Sequence, residues 1–145
     1  MNARENRYSW KKMFVEIAKV VAQRSADPHT QVGAVLVKDN RIISCGYNGD
    51  LLNSSIDINW ATSEKYQYCV HAEMNALANA LRNGVNVSGA DAYLTVSPCN
   101  TCIKLLIQSG IKNIYYISEY KDFELVKYIA ESSNVNLIKI TDELN

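Results

Sequence analysis

No stretch of the chain is apolar for long enough to cross a bilayer, which takes about 20 consecutive residues as a helix. No membrane role is therefore expected. Charge of either sign is not in excess: 15 Lys and Arg stand against 15 Asp and Glu. Proteins that grip long nucleic acid usually carry a basic surplus, so long nucleic acid is not an expected partner. A small anionic ligand, needing only one or two cations, stays compatible. Residues 1–12 are polar and lack the apolar core of a secretory signal, so the expected location is cytoplasmic. No internal repeat, low-complexity tract or linker is evident. Cysteine is scarce, with four residues at 45, 69, 99 and 102. In a reducing compartment these are expected as thiols, and the close pair Cys99 and Cys102 reads as a metal or redox site.

What is present suits one folded unit. The 145 residues, 48% of them apolar, are enough for a single core, and one domain spanning 1–145 is expected. Trp10, Met13, Phe14, Ile17, Val20 and Val21 recur at helical spacing behind Ser9, a suitable cap. They predict a helix from Trp10 to near Ser25 with that stripe in the core. Val32–Val37 and Ile42–Tyr47, joined by a turn at 38–41, predict an antiparallel hairpin. Cys45 reads there as a small buried apolar residue. Gly46 and Gly49 suggest a sharp bend, and residues 53–68 a polar, irregular loop. Helices are then expected over 71–82, 99–108 and 123–131, alternating with strands over 92–96, 114–117 and 135–140. The order predicts an α/β fold of three layers, α/β/α, with helices on both faces of a mixed five-stranded sheet. Its later strands are parallel.

The chemistry concentrates in two short strings, His71-Ala72-Glu73 and Pro98-Cys99-Asn100-Thr101-Cys102. Zinc takes imidazole nitrogen and thiolate sulfur, and a catalytic site holds three protein ligands with one position open. His71, Cys99 and Cys102 supply three. The two cysteines share a helix face at i and i+3, near a positive helix start that favours thiolates. Pro98 suits the beginning of that helix. Glu73 need not ligate and is placed to move protons, and the spacing follows the general signature of zinc base deaminases. Two readings compete. A structural zinc site would need a fourth ligand, for which Cys69, Cys45 and His29 are available. A redox pair would leave His71 and Glu73 without a role.

Four segments together resemble the deoxycytidylate (dCMP) deaminase branch of the zinc-dependent cytidine deaminases. They are the leading segment 22–34 with Gln31-Val32-Gly33-Ala34, then Gly46-Tyr47-Asn48-Gly49, His71-Ala72-Glu73-Met74-Asn75-Ala76, and the cysteine string with residues 104–111 after it. Tyr120-Lys121-Asp122 matches a further short stretch, and the likeness covers most of residues 10–130. The resemblance implies a cytidine deaminase-like fold, one zinc per chain, and hydrolysis of dCMP to dUMP and ammonia, feeding thymidylate synthesis. It implies Glu73 as the proton carrier, the Ala72 N–H on the base carbonyl, Asn48 on the sugar, and Ser97 as a further substrate contact. Tyr120 either borders the base or is an ordinary surface or core tyrosine. The 5′-phosphate calls for a cation, Arg24 first and Lys121 second, each otherwise a solvated charge. The resemblance also implies a homo-oligomer, commonly a hexamer, with dCTP and dTTP as allosteric effectors. The chain departs from the pattern at Asp50-Leu51, at Val70, where members often have Cys, and in lacking the extra Cys and His of a second zinc site. Deamination of another cytosine nucleotide or nucleoside, or of tRNA adenosine, would share the zinc motif. So would a catalytically silent nucleotide sensor.

Overall fold

Ser9 stands in extended backbone and its hydroxyl accepts the Lys12 N–H at 3.1 Å, which opens helix α1, Trp10–Ala22. The computed structural model describes residues 3–141; the remainder of the expected 1–145 domain lies outside the described residues. The hairpin forms as strands β1, Gly33–Lys38, and β2, Arg41–Tyr47. Asp39 and Asn40 between them have φ of 52° and 57°, the left-handed pair that a two-residue hairpin turn requires. Then follow α2, Ala72–Arg82; β3, Asp91–Val96; α3, Asn100–Gln108; β4, Asn113–Ser118; α4, Phe123–Ser132; and β5, Asn136–Lys139.

The sheet has five strands in the order β2-β1-β3-β4-β5. β1 pairs antiparallel with both neighbours, while β3, β4 and β5 pair in parallel. Side chains alternate across it, as strand geometry demands. Leu36, Leu94, Ile114 and Tyr116 pack with α2, α3 and α4 on one face. Val35, Val37, Tyr93 and Tyr115 pack with α1 on the other. This is the expected three-layer arrangement.

Several local expectations need correction. The stripe that α1 buries is Phe14, Val15, Ala18 and Ala22, while Trp10 and Val20 are 58% and 69% exposed. The helix lies so close to β1 that a Cβ on Gly33 would strike the Ala18 carbonyl. Close approach selects alanine over bulk, and Trp10 is left stacking on Phe14 from the rim. The helix also stops at Ala22, short of Ser25. Cys45 is exposed rather than buried, because β2 is an edge strand. The bend expected between Gly46 and Gly49 falls at Asn48, directly after β2 ends at Tyr47, while Gly46 itself lies inside the strand with ordinary φ.

The loop expected to be irregular carries a 3-10 turn, Ser63–Gln67, and inside it the ammonium of Lys65 reaches the Asp27 carboxylate at 2.7 Å, both side chains 6% exposed. Burial opposes the charge on Asp27. The hydrogen bond from Lys65, with the His29 and Thr30 amides, outweighs it and holds the carboxyl below its ordinary value of 3.8. The same hydrogen bond holds Lys65 above 10.5. A lowered acid keeps its contribution above its unfolded pKa and loses it as pH falls through the lowered one. A raised base keeps its contribution below its unfolded pKa and loses it as pH rises through the raised one. The pair is therefore fully charged across the neutral range.

Gly46 brings β2 close against α2: an added Cβ would lie 2.5 Å from the Ala76 nitrogen and 2.6 Å from the Ala72 oxygen. Gly46→Ala is expected to cost about 1–3 kcal/mol through forced separation of backbones, read as a lower urea midpoint. An unchanged midpoint would show that α2 has room to move.

Candidate metal centre

β2 and β3 both run against β1 and so run in the same direction. The helices that follow them, α2 and α3, consequently start at one edge of the sheet, where ligand sites of α/β folds collect. α2 is held to β2 by side chains as well as by contact at Gly46. The Ser44 hydroxyl donates to the Ala76 oxygen at 2.7 Å, the Asn75 amide to the Tyr47 oxygen at 2.6 Å, and the Asn79 amide to the Cys45 oxygen at 3.0 Å. Just before α2, Val70 and Gly49 exchange two backbone hydrogen bonds of 2.8 and 3.0 Å. His71, the next residue, is the N-cap of α2.

Cys99 caps α3 rather than lying inside it, and its sulfur accepts the Cys102 N–H at 3.5 Å. The His71 Nδ1 lies 3.5 Å from Cys99 Sγ and 3.4 Å from Cys102 Sγ. Zinc bonds of about 2.3 Å to sulfur and 2.0–2.1 Å to nitrogen, at a tetrahedral angle, set a sulfur and a nitrogen about 3.5–3.6 Å apart. The three donor atoms fit zinc. Among the described residues, no other set of three or more His, Cys, Asp or Glu donors could hold a metal, and no fourth such donor joins this one. Cys45 and His29 are exposed, and Cys69 falls outside the cluster. The structural-zinc reading lacks its fourth ligand, and the three-ligand set matches a catalytic centre.

The donor groups shift one another's ionisation. A hydrogen bond from Cys102 lowers the Cys99 thiol to about 3 against the effect of burial, with His71 adding to it. The same bond, with burial, pushes the Cys102 thiol up. His71 is raised, chiefly by its hydrogen bond to Cys99. Glu73, on the first turn of α2, is buried at 5% exposure, and that burial pushes its carboxyl up to about 7.

An open cavity leads to this centre. His71, Ala72, Glu73 and Cys99 line it together with Asn48, Ser97 and Tyr120. Most expected site residues are thus brought together. Asn48 already spans two backbone groups, accepting from the Val32 N–H at 2.8 Å and donating to the Thr30 oxygen at 3.0 Å. A carboxamide keeps one more N–H and one more lone pair for a ligand. The buried Ser97 hydroxyl accepts the Tyr120 N–H at 2.8 Å and retains its own proton to donate. Arg24 is not in this cavity. It lies over the Tyr47 ring and lines a separate groove of ≈ 600 Å³ with Trp60, Asn75 and Asn79. Lys121 stands over the ring of Tyr120, 5.6 Å from its centroid. Asp27, Thr30, Tyr66 and Cys69 also line the cavity and were not anticipated. Asp27 and Thr30 fall in the leading segment 22–34 that carries the resemblance but have no role assigned there, and Tyr66 and Cys69 fall in a polar loop without periodicity.

Residues 8–118 match the family model for the cytidine and deoxycytidylate deaminase zinc-binding region. The human deoxycytidylate deaminase is 41% identical over 124 residues, covering 80% of this chain and 68% of the relative. That of Enterobacteria phage T2 is 33% identical over 147 residues, covering 73% and 78%. Among solved structures, the dCMP deaminase of cyanophage S-TIM5 in complex with dCMP and dUMP superposes with a TM-score of 0.81. It is 25% identical and covers 97% of this chain and 99% of that one.

Removal of one sulfur tests the donor set. Cys102→Ala is expected to bring bound zinc from about one ion per chain to near zero, since two donors do not hold a three-ligand ion. Elemental analysis after desalting reads it. Full retention of zinc would place the metal elsewhere.

Proposed function

The chain belongs to the cytidine and deoxycytidylate deaminase family, and on that premise we propose that it hydrolyses dCMP to dUMP and ammonia. The observation that carries the reading is the buried Glu73 carboxyl beside the His71, Cys99 and Cys102 donors, with Glu73, His71 and Cys99 lining an open cavity. A bound zinc ion would supply a water acidified towards neutrality. His71, Cys99 and Cys102 would hold that ion. Glu73, pushed up to about 7 by burial, has the proton affinity to take a proton at neutral pH and release it to the departing amine. Each turnover then consumes one water, breaks the bond from ring carbon to amine and forms a carbonyl. Of the two protons of that water, Glu73 would pass one to the ring nitrogen beside the reacting carbon and the other to the amine that leaves as ammonia.

The rest of the cavity orients the nucleotide. First-turn amides of a helix lack intrahelical partners, and His71 caps α2 without a side-chain hydrogen bond. The Ala72 N–H therefore suits the base carbonyl. Asn48 offers its spare N–H and lone pair to the sugar, Ser97 its hydroxyl proton, and the ring of Tyr120 borders the base. For the 5′-phosphate, Lys121 is favoured over Arg24, because it stands on the ring that lines the cavity while Arg24 faces the other groove. The reading extends to a cytoplasmic homo-oligomer, as a hexamer, with dCTP and dTTP as effectors and with its product feeding thymidylate synthesis.

Ammonia release from dCMP, deoxycytidine and dCTP, measured side by side, tests the substrate. Turnover is expected to favour dCMP, and its absence in zinc-loaded protein would overturn the assignment. Glu73→Gln is expected to lower kcat by about 10²–10⁴ with zinc retained, the usual loss when a positioned acid–base group is removed; undiminished turnover would take Glu73 out of the mechanism. Lys121→Ala is expected to raise KM for dCMP by about tenfold with kcat and deoxycytidine turnover little changed, since it removes uniform binding of the phosphate. If Arg24→Ala has that effect instead, the two cations exchange roles.

A further inference from the structure

Asp27 and Lys65 lie 38 residues apart, on two segments that both line the cavity. One carboxylate gathers four hydrogen bonds: from the Lys65 ammonium at 2.9 and 2.7 Å, from the His29 N–H at 2.8 Å and from the Thr30 N–H at 3.2 Å. This closes the turn after α1, whose Thr30 oxygen and Val32 N–H then hold Asn48. On the other side, the Lys65 carbonyl accepts the Tyr68 and Cys69 amides at 3.1 and 2.9 Å, two residues before His71. The ammonium also lies 5.3 Å from the ring centroid of Tyr66, a 63% exposed aromatic on the cavity wall.

Stability does not explain such a pair. Desolvating two charges offsets most of their attraction, and apolar replacements of equal bulk are often as stable. What an ion pair adds is direction and length, which a greasy contact leaves loose. We propose that the Asp27–Lys65 pair is a positioning device: it ties residues 27–32 to residues 65–70 and so sets the wall against which the nucleotide is held. It acts on substrate affinity and not on proton transfer. The inference rests on the cavity being the nucleotide site.

The double variant Asp27→Asn/Lys65→Met separates the two roles. Asn keeps an acceptor for the His29 and Thr30 amides, and Met keeps the bulk of the lysine. In the zinc-loaded protein the thermal midpoint is expected within a few degrees of the parent, and KM for dCMP is expected to rise about tenfold with kcat held within about threefold. A parental KM, or a loss confined to kcat, overturns the proposal. If the double variant does not fold, Lys65→Arg decides: it keeps the charge but lengthens the tie, so an unchanged KM overturns the proposal and a rise of about threefold or more supports it. Peptide-resolved alkylation keeps this test apart from the substrate assignment. Cys69 hangs from the Lys65 carbonyl, and its labelling is expected to quicken about tenfold or more once the tie is cut, whatever the enzyme deaminates. Parental labelling of Cys69 in a folded double variant, together with parental affinity for any cavity ligand, would leave the pair with no positioning role.

Discussion

The contact between α2 and the edge strand β2 is the constraint on which the site depends. Gly46 lets the backbones meet, Asn75 and Asn79 donate to the Tyr47 and Cys45 carbonyls that the edge strand leaves free, and Ser44 of the strand donates to the Ala76 carbonyl of the helix. With α2 fixed there, its N-cap His71 arrives beside the N-cap of α3, because the strands before both helices run the same way. Three donors from two helix starts then sit within 4.8 Å of one another. A longer side chain at position 46 would move the imidazole away from both sulfurs, with no residue of the centre itself changed.

Buried polarity around the centre is spent on geometry. Asn48 bridges Thr30 and Val32, Ser97 holds the Tyr120 amide, and Lys65 answers Asp27. Among the described residues, no buried side-chain nitrogen or oxygen is left without a partner. Such completeness keeps a polar pocket stiff, since each group has one low-energy arrangement. Glu73 is the contrasting case. Its burial raises its proton affinity, an arrangement that makes a poor structural ion and a suitable proton carrier.

The sequence reading was most accurate where local rules dominate. Ser9 as cap, the Asp39-Asn40 turn and the alternation of strands and helices are decided by near neighbours, and they stand within a few residues of expectation. It went astray where packing decides. The buried face of α1 is built on Ala18 and Ala22, which hydrophobic bulk does not flag, and Cys45 is exposed because, among the described residues, no strand pairs beyond β2. Asp27 with Lys65 was invisible, since a pairing across 38 residues leaves no periodic trace.

By itself the sequence determined the donor set and its chemistry: an imidazole, two thiols at i and i+3 and a carboxyl beside the imidazole are covalent facts of His71, Cys99, Cys102 and Glu73. It also determined the order of elements, because helix and strand periodicities are local. Only the tertiary structure decided that three donors would converge with no fourth among the described residues, that Asn48 and Tyr120 would share a cavity with them, and that Arg24 would not. The reason is physical. Convergence depends on strand direction, close backbone contact and buried ion pairing, and each of these joins residues that lie far apart along the chain.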